Sequence, residues 1–213
     1  MSESVGAGAR AAQRSATGET LREAQKRLTR ERLVEAAFDA FRERGYQLTS
    51  AANIAAAAGA SRATFYLHFP SKAEVVIELL ERIEPDVLEA YRRLDAPDNT
   101  SLATTRDWAR DVADWWQRDR LRFEAMEQAL AVEPRVAERW YESLRRAADS
   151  MTNHLDRFAE GAERDKERLR LLTLMAQLDR TMYFTAVCGV PHDREQLVDV
   201  LAEQWWAVLG AAR

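Results

Sequence analysis

Cysteine is nearly absent from this chain of 213 residues: a lone Cys188 excludes an internal disulfide and any CxxC redox or metal pair. It suits a reducing compartment, and with neither a His neighbour nor a second thiol it is expected to be a buried bystander. Glycine (8) and proline (5) are scarce, which argues against a turn-rich sandwich or barrel and for helices. No apolar run approaches the roughly 20 residues that span a bilayer, and no signal-type apolar segment opens the chain, so a cytoplasmic protein without membrane contact is expected. The three histidines, His68, His154 and His192, lack the spacing of helical zinc ligands. Gly-rich phosphate loops, G-x-S-x-G and H-E-x-x-H are all missing, so neither catalysis nor a metal or other cofactor is expected.

What is present is a globular balance, 46% hydrophobic and 31% charged, at a net charge of −4. The charge is uneven. Residues 1–72 carry 11 Lys and Arg against 7 Asp and Glu, whereas the remainder carries 20 against 28. A basic front and an acidic rear suit a chain that offers one end to nucleic acid.

Residues 49–72, TSAANIAAAAGASRATFYLHFPSK, organise that front. Thr49 and Ser50 are helix-capping types before an Ala-rich helix, Gly59 is a natural stop, and Ser61 caps a second short helix. Two helices around a tight glycine turn form a helix-turn-helix, with Ile54, Ala58 and Phe65 filling the space between them. The second helix can enter a major groove with its first turn at the base edges: Arg62 for guanine, Thr64 for a thymine methyl. Tyr66, His68 and Lys72 follow at the rim, where their donors suit phosphates. Ser71 is expected to cap the next helix.

The residues Gly45-Tyr46, Thr49-Ser50, Ile54-Ala55, Ala58-Gly59, Ser61, Thr64-Phe65-Tyr66, His68-Phe69 and Ser71-Lys72 resemble the DNA-binding domain of TetR-family regulators. The chain departs from that pattern at Ala51, Asn53, Ala60 and Ala63, which thins the expected packing. The resemblance implies an all-α fold, double-stranded operator DNA as partner, and a homodimer. It implies DNA-binding roles for Thr49, Ser50, Ser61, Arg62, Thr64, Tyr66, His68 and Lys72.

The chain then divides into a disordered basic arm (1–24), a helix-turn-helix domain (25–72) and a helical effector-binding and dimerisation domain (73–213). Thr29 is the expected cap of a first helix ending at Gly45, with Leu33, Ala37 and Phe41 on one face. From Ser71 a helix runs towards Leu94, kinked at Pro85. Helices follow that carry Trp108, Trp115 and Trp116, then Phe123, Met126 and Leu130, then one over 134–160, and finally 163–188 and 193–209.

The last two helices bear apolar stripes that could be internal core, and the resemblance implies that Leu171, Met182, Leu197 and Leu201 pack a four-helix dimer interface. Such a dimer would set two heads about one helical turn of DNA apart. All six tryptophans lie beyond residue 107. Trp108, Trp115, Trp116, Phe123, Met126, Trp140, Met151, Phe158, Leu178 and Trp205 are candidate walls of a small-molecule cavity, with Gln177, Thr181, Asn153 and Tyr141 as its polar points. The Trp108/Trp115 spacing, Trp140, Arg180-Thr181 and Trp205 are more loosely similar to the ligand domain of the ethionamide-resistance repressor. That similarity implies an effector contact at Leu178. The expectation is therefore a repressor released from its operator by a small apolar effector. A DNA-binding regulator with a filled core, and a helical enzyme, are the alternatives.

Overall fold

The structure, a computed structural model, describes residues 20–98 and 101–210, and the elements among them are helices joined by short connections. Helix α1 (Leu21–Leu48) starts earlier than the Thr29 cap expected from sequence. Thr20 takes the cap, with a reciprocal box in which Thr20 Oγ1 accepts from the Glu23 amide at 3.3 Å and Glu23 Oε2 accepts from the Thr20 amide at 2.8 Å. Thr29 is inside the helix, its hydroxyl donating to the Gln25 carbonyl. Residues 20–24 thus belong to the head rather than to the arm, whose residues 1–19 lie outside the described residues. Gly45, at φ +77°, interrupts the helix as anticipated, because a side chain there would be strained.

Helices α2 (Ala51–Ala57) and α3 (Arg62–His68) complete a three-helix head around Leu33, Phe41, Tyr46, Ile54, Phe65 and Phe69, all buried. The turn between α2 and α3 is a Schellman motif on Gly59 (φ +63°): the Ala60 amide donates to Ala55 at 2.8 Å and the Gly59 amide to Ala56 at 3.1 Å. Asn53, where the family pattern has an acid, still closes the capping box, its Oδ1 accepting from the Ser50 amide at 3.0 Å. Ala51 and Ala60 pack partly buried against this core.

Helix α4 (Lys72–Asp95) leaves the head and enters the body, remaining one element through Pro85. Ser71 stands at its N-cap position but its hydroxyl makes no cap bond. The body follows: α5 (Leu102–Arg118) with a Ser101/Thr104 capping box, α6 (Arg120–Leu130), α7 (Pro134–Ser150), α8 (Thr152–Leu155), α9 (Ala162–Met182) and α10 (Arg194–Leu209). The helix expected over 134–160 breaks at buried Met151, whose φ −83°, ψ +62° is not helical. Beyond the break, Asp95 accepts from the amides of Asn153 (2.7 Å) and His154 (2.9 Å), so a buried carboxylate caps α8 from α4. After α9 a π-helical turn (Tyr183–Val187) ends the long helix. In the body α5 lies against α10, and α4 and α9 against α7.

Candidate nucleic-acid interface and effector cavity

Helix α3 has one face in the core, through Phe65, and one in water. Ser61 holds its N-cap, accepting from the Thr64 amide at 3.0 Å. Outward stand Arg62, Ala63, Tyr66 and Leu67, the last 79% exposed. The Arg62 guanidinium lies 5.5 Å from the Tyr66 ring centroid, so an exposed cation is steadied by an aromatic plane without being neutralised. Ser50 is exposed at the cap of α2, and Thr64 is half-buried.

Three of the residues expected to touch DNA are built inwards instead. Thr49 is 2% exposed, and its hydroxyl donates to the Ala40 and Gly45 carbonyls, so it fastens the end of α1. The Lys72 ammonium donates to the carbonyls of Tyr46 (2.6 Å), Gln47 (3.2 Å) and Thr49 (2.9 Å) and lies over the Tyr46 ring. Burial lowers its pKa, and its ammonium braces the end of α1 against the start of α4. His68 is half-buried with Nδ1 unpartnered, and burial plus the neighbouring Arg30 and Lys26 charges depress its pKa. Leu67 shares this exposed face, a position for which the sequence carries no periodic signal.

Tyr46 joins head to body. Its amide donates to Gln128 Oε1 at 2.7 Å and its phenol to Glu133 Oε1 at 2.9 Å, while burial and that carboxylate push the phenol pKa far up. Gln128 lies on α6, the helix whose Phe123 lines the cavity described next.

Between α4, α5, α6, α7 and α9 is a cavity of about 40 Å³. Of the residues expected to wall it, Trp108, Trp115, Trp116, Phe123, Trp140 and Leu178 do so. Trp116 stacks on Phe123 at 3.9 Å between centroids, and Trp115 meets the same ring edge-on. Trp205 does not line the cavity; fully buried, it packs on Trp108 (5.3 Å) and Tyr91 (5.7 Å) as core. Met126 and Met151 are core too, and Phe158 packs on His154. The polar points are also elsewhere. Gln177 bonds Gln204 at the surface, Thr181 bonds the Gln177 carbonyl, Asn153 caps against Asp95, and Tyr141 is exposed.

The polar wall is Asp179, which the sequence reading passed over. Burial raises its pKa from 3.8 to about 7; Glu127 adds to the rise, and Arg180 and a hydrogen bond from Trp140 oppose it. The signal was available: Asp179 sits four residues after Met175 and three before Met182, on the buried stripe of α9. Outside Trp115 lies an open cleft of about 750 Å³ that shares Ala90, Val112 and Trp115 with the cavity.

The expected dimer stripe is reversed. Leu171, Met182 and Leu201 are buried within the single chain, and Leu197 is partly so, because α9 and α10 use those faces to complete their own core. Their outward faces carry Leu169, Thr173, Ala176 and Phe184 on one side and Gln196, Val200, Glu203 and Ala207 on the other. Cys188, expected to be buried, is exposed beyond the π-helical turn. No cluster of His, Cys, Asp and Glu fit for a metal occurs among the described residues, and none of their helices is long and apolar enough to cross a membrane.

Residues 33–79 match the family model for bacterial regulatory proteins of the tetR family. No curated protein matches the chain. Among solved structures, a TetR-family transcriptional regulator from Syntrophomonas wolfei is 15% identical at a TM-score of 0.68, covering 87% of this chain and 97% of that one. One from Mesorhizobium loti is 20% identical at 0.60, covering 88% and 98%. FadR of Thermus thermophilus, a transcriptional repressor solved with lauroyl-CoA, is 24% identical at 0.60, covering 86% and 94%. These likenesses are of fold.

Proposed function

We propose that the chain, whose residues 33–79 match the family model for bacterial regulatory proteins of the tetR family, is a dimeric repressor whose hold on an operator is released by a small effector. The observation that carries the DNA-binding half is the outward face of α3. Arg62, Ala63, Tyr66 and Leu67 are exposed, and Arg62 has no carboxylate partner among the ion pairs of the described residues. A guanidinium steadied by an aromatic ring at the start of a groove-sized helix is suited to a guanine edge.

The effector half is supported by continuity. A cavity wall (Phe123) and a head anchor (Gln128, bonded to the Tyr46 amide) share the 11-residue helix α6. Any ligand that displaces α6 acts on Tyr46, and a differential affinity of a few kcal/mol between two head positions is enough to release DNA. The outward faces of α9 and α10 are the proposed dimer surface. Thermus FadR binds lauroyl-CoA, so in that protein a related fold accepts a long apolar chain.

The cavity's size supports a second reading. About 40 Å³ holds a few waters, not the 300 Å³ or more of a typical ligand site, so the observed state is nearly filled and an effector must open it. A regulator that needs no effector would have the same core.

Selection of bound duplexes from randomised DNA tests the first half. A defined operator should emerge, and Arg62→Ala should cost roughly 1–3 kcal/mol of discrimination against random duplex. Failure of any sequence to be enriched would overturn the reading.

A further inference from the structure

We propose that the effector is a hydrophobic organic monocation, an alkyl- or arylammonium, which enters over the acidic cleft between α4 and α5 and seats its charge beside Asp179 within the tryptophan cage. The inference rests on the effector reading above and names the ligand class.

Three independent features agree. The first is the cage: Trp108, Trp115, Trp116, Trp140, Tyr91 and Phe123 surround one small cavity. Ring faces are negative, and cages of them attract ammonium groups that are too poorly hydrated to prefer water. A neutral apolar ligand needs only aliphatic walls, and here aliphatic residues are the minority among the largest lining groups.

The second is the carboxyl inside that cage. Asp179 reaches the cavity from α9, largely buried, with the Trp140 indole donating to it. Every charged or titratable group around it can be named: Glu127 from α6, Tyr91 from α4, Arg180 from α9 itself. Arg180 is already engaged, 3.1 Å from Glu127 Oε2, and also lies against the Tyr183 ring. Arg180 pairs with Glu127, so Asp179 has no ion-pair partner of its own among the described residues, and burial raises the pKa of both carboxyls. A cationic ligand supplies it.

The third is the approach. The outer cleft is lined by Asp86, Glu89, Asp111 and Asp114 beside Arg93 and Arg118; Asp111 lies 4.0 Å from Arg93, Glu89 3.9 Å from Arg92, and Asp114 pairs with Arg194, which leaves Asp86 as the rim acid outside the ion pairs of the described residues. An acid left without an ion pair at a rim favours a cation over an anion there. Trp115, half-buried, stands in both linings, so turning that one side chain would join cleft to cavity. The carboxyl of Asp179 inside the cage offers nothing to a polyphosphate, the group that lauroyl-CoA brings to Thermus FadR.

The test uses the full-length dimer and two probes of one shape: benzyltrimethylammonium and its uncharged carbon isostere, neopentylbenzene. Thermal shift and tryptophan quenching give affinity, and fluorescence anisotropy of a labelled operator gives release. At pH 8, where Asp179 is mostly ionised, the cation should bind at least about tenfold more tightly than the isostere. That preference should shrink at pH 5.5 and disappear in Asp179→Asn. Because the wild-type comparison of the two probes stands alone, a poorly folding variant leaves the proposal falsifiable. Equal binding of the isostere, with operator release, would overturn the cation while leaving the effector reading intact. Tight binding of lauroyl-CoA in place of either would do the same. Absence of binding by all three probes would overturn the effector reading itself.

Discussion

Replacing Asp179 by asparagine should make the protein more stable in alkali and change its pH dependence. A carboxyl whose folded pKa stands above its unfolded value keeps a proton that the unfolded chain has lost, so folding weakens as pH rises between the two values. For Asp179 those values are about 7 and 3.8. At about 1.36 kcal/mol per unit, the linkage integral costs the fold roughly 1.7 kcal/mol at pH 5 and roughly 4.3 at pH 8. Below pH 3.8 there is no cost, and above 7 it is complete. Asparagine keeps the carbonyl that accepts from Trp140 but buries an amide of its own, at a cost of roughly 1–3 kcal/mol. That cost is the same at both pH values. Urea denaturation of wild type and Asp179→Asn at pH 5 and pH 8 therefore gives a difference of differences in which the amide, and the titrating groups remote from Asp179, cancel, Glu127 being the coupled neighbour. It should be about 2.5 kcal/mol in favour of the variant at pH 8. A value near zero would mean that Asp179 is ionised in the fold at pH 5, and the argument from its burial among aromatic rings would fail.

Two further outcomes test other parts of the molecule. Phe184→Glu with Val200→Glu, at positions 47% and 49% exposed, should yield soluble monomers in sedimentation at micromolar concentration, whereas a charge at buried Leu201 should yield unfolded protein; a dimer surviving the first pair would place the interface elsewhere. Gln128→Ala strands the buried Tyr46 amide and should cost roughly 1–3 kcal/mol in denaturation while reducing effector-driven operator release, and an unchanged midpoint would remove Gln128 from the joint.

The head was legible because its punctuation is local. Ser50, Gly59 and Ser61 act within four residues of themselves, and the structure puts each in its expected place. Helix phase in the body was legible too, but the partner facing each stripe was not. Leu171, Met182 and Leu201 were rightly seen as buried; whether a second copy or the chain itself buries them depends on contacts between distant helices. The same limit hid the work of Lys72, whose three carbonyl partners lie 23 to 26 positions away. Thr20 was overlooked because a capping box in a polar, low-complexity neighbourhood lacks an adjoining apolar stripe. Asp179 was overlooked because an acid among methionines and leucines resembles a surface residue until its neighbours are known.

The inward work of Lys72 and Thr49 separates two tasks that a seven-residue helix would otherwise have to combine. The end of α1, the α2 cap and the start of α4 are fastened to one another by the half-buried ammonium of Lys72 and the buried hydroxyl of Thr49. Within α3, only Phe65 is fully committed to the core. Positions 62, 63 and 67 can then exchange one side chain for another at little cost to the fold, since surface changes of this kind usually stay within about 0.5 kcal/mol. Lineages descended from such a head are free to drift from one target sequence to another by single steps, each intermediate still folded, with selection acting on what the face touches rather than on whether it stands.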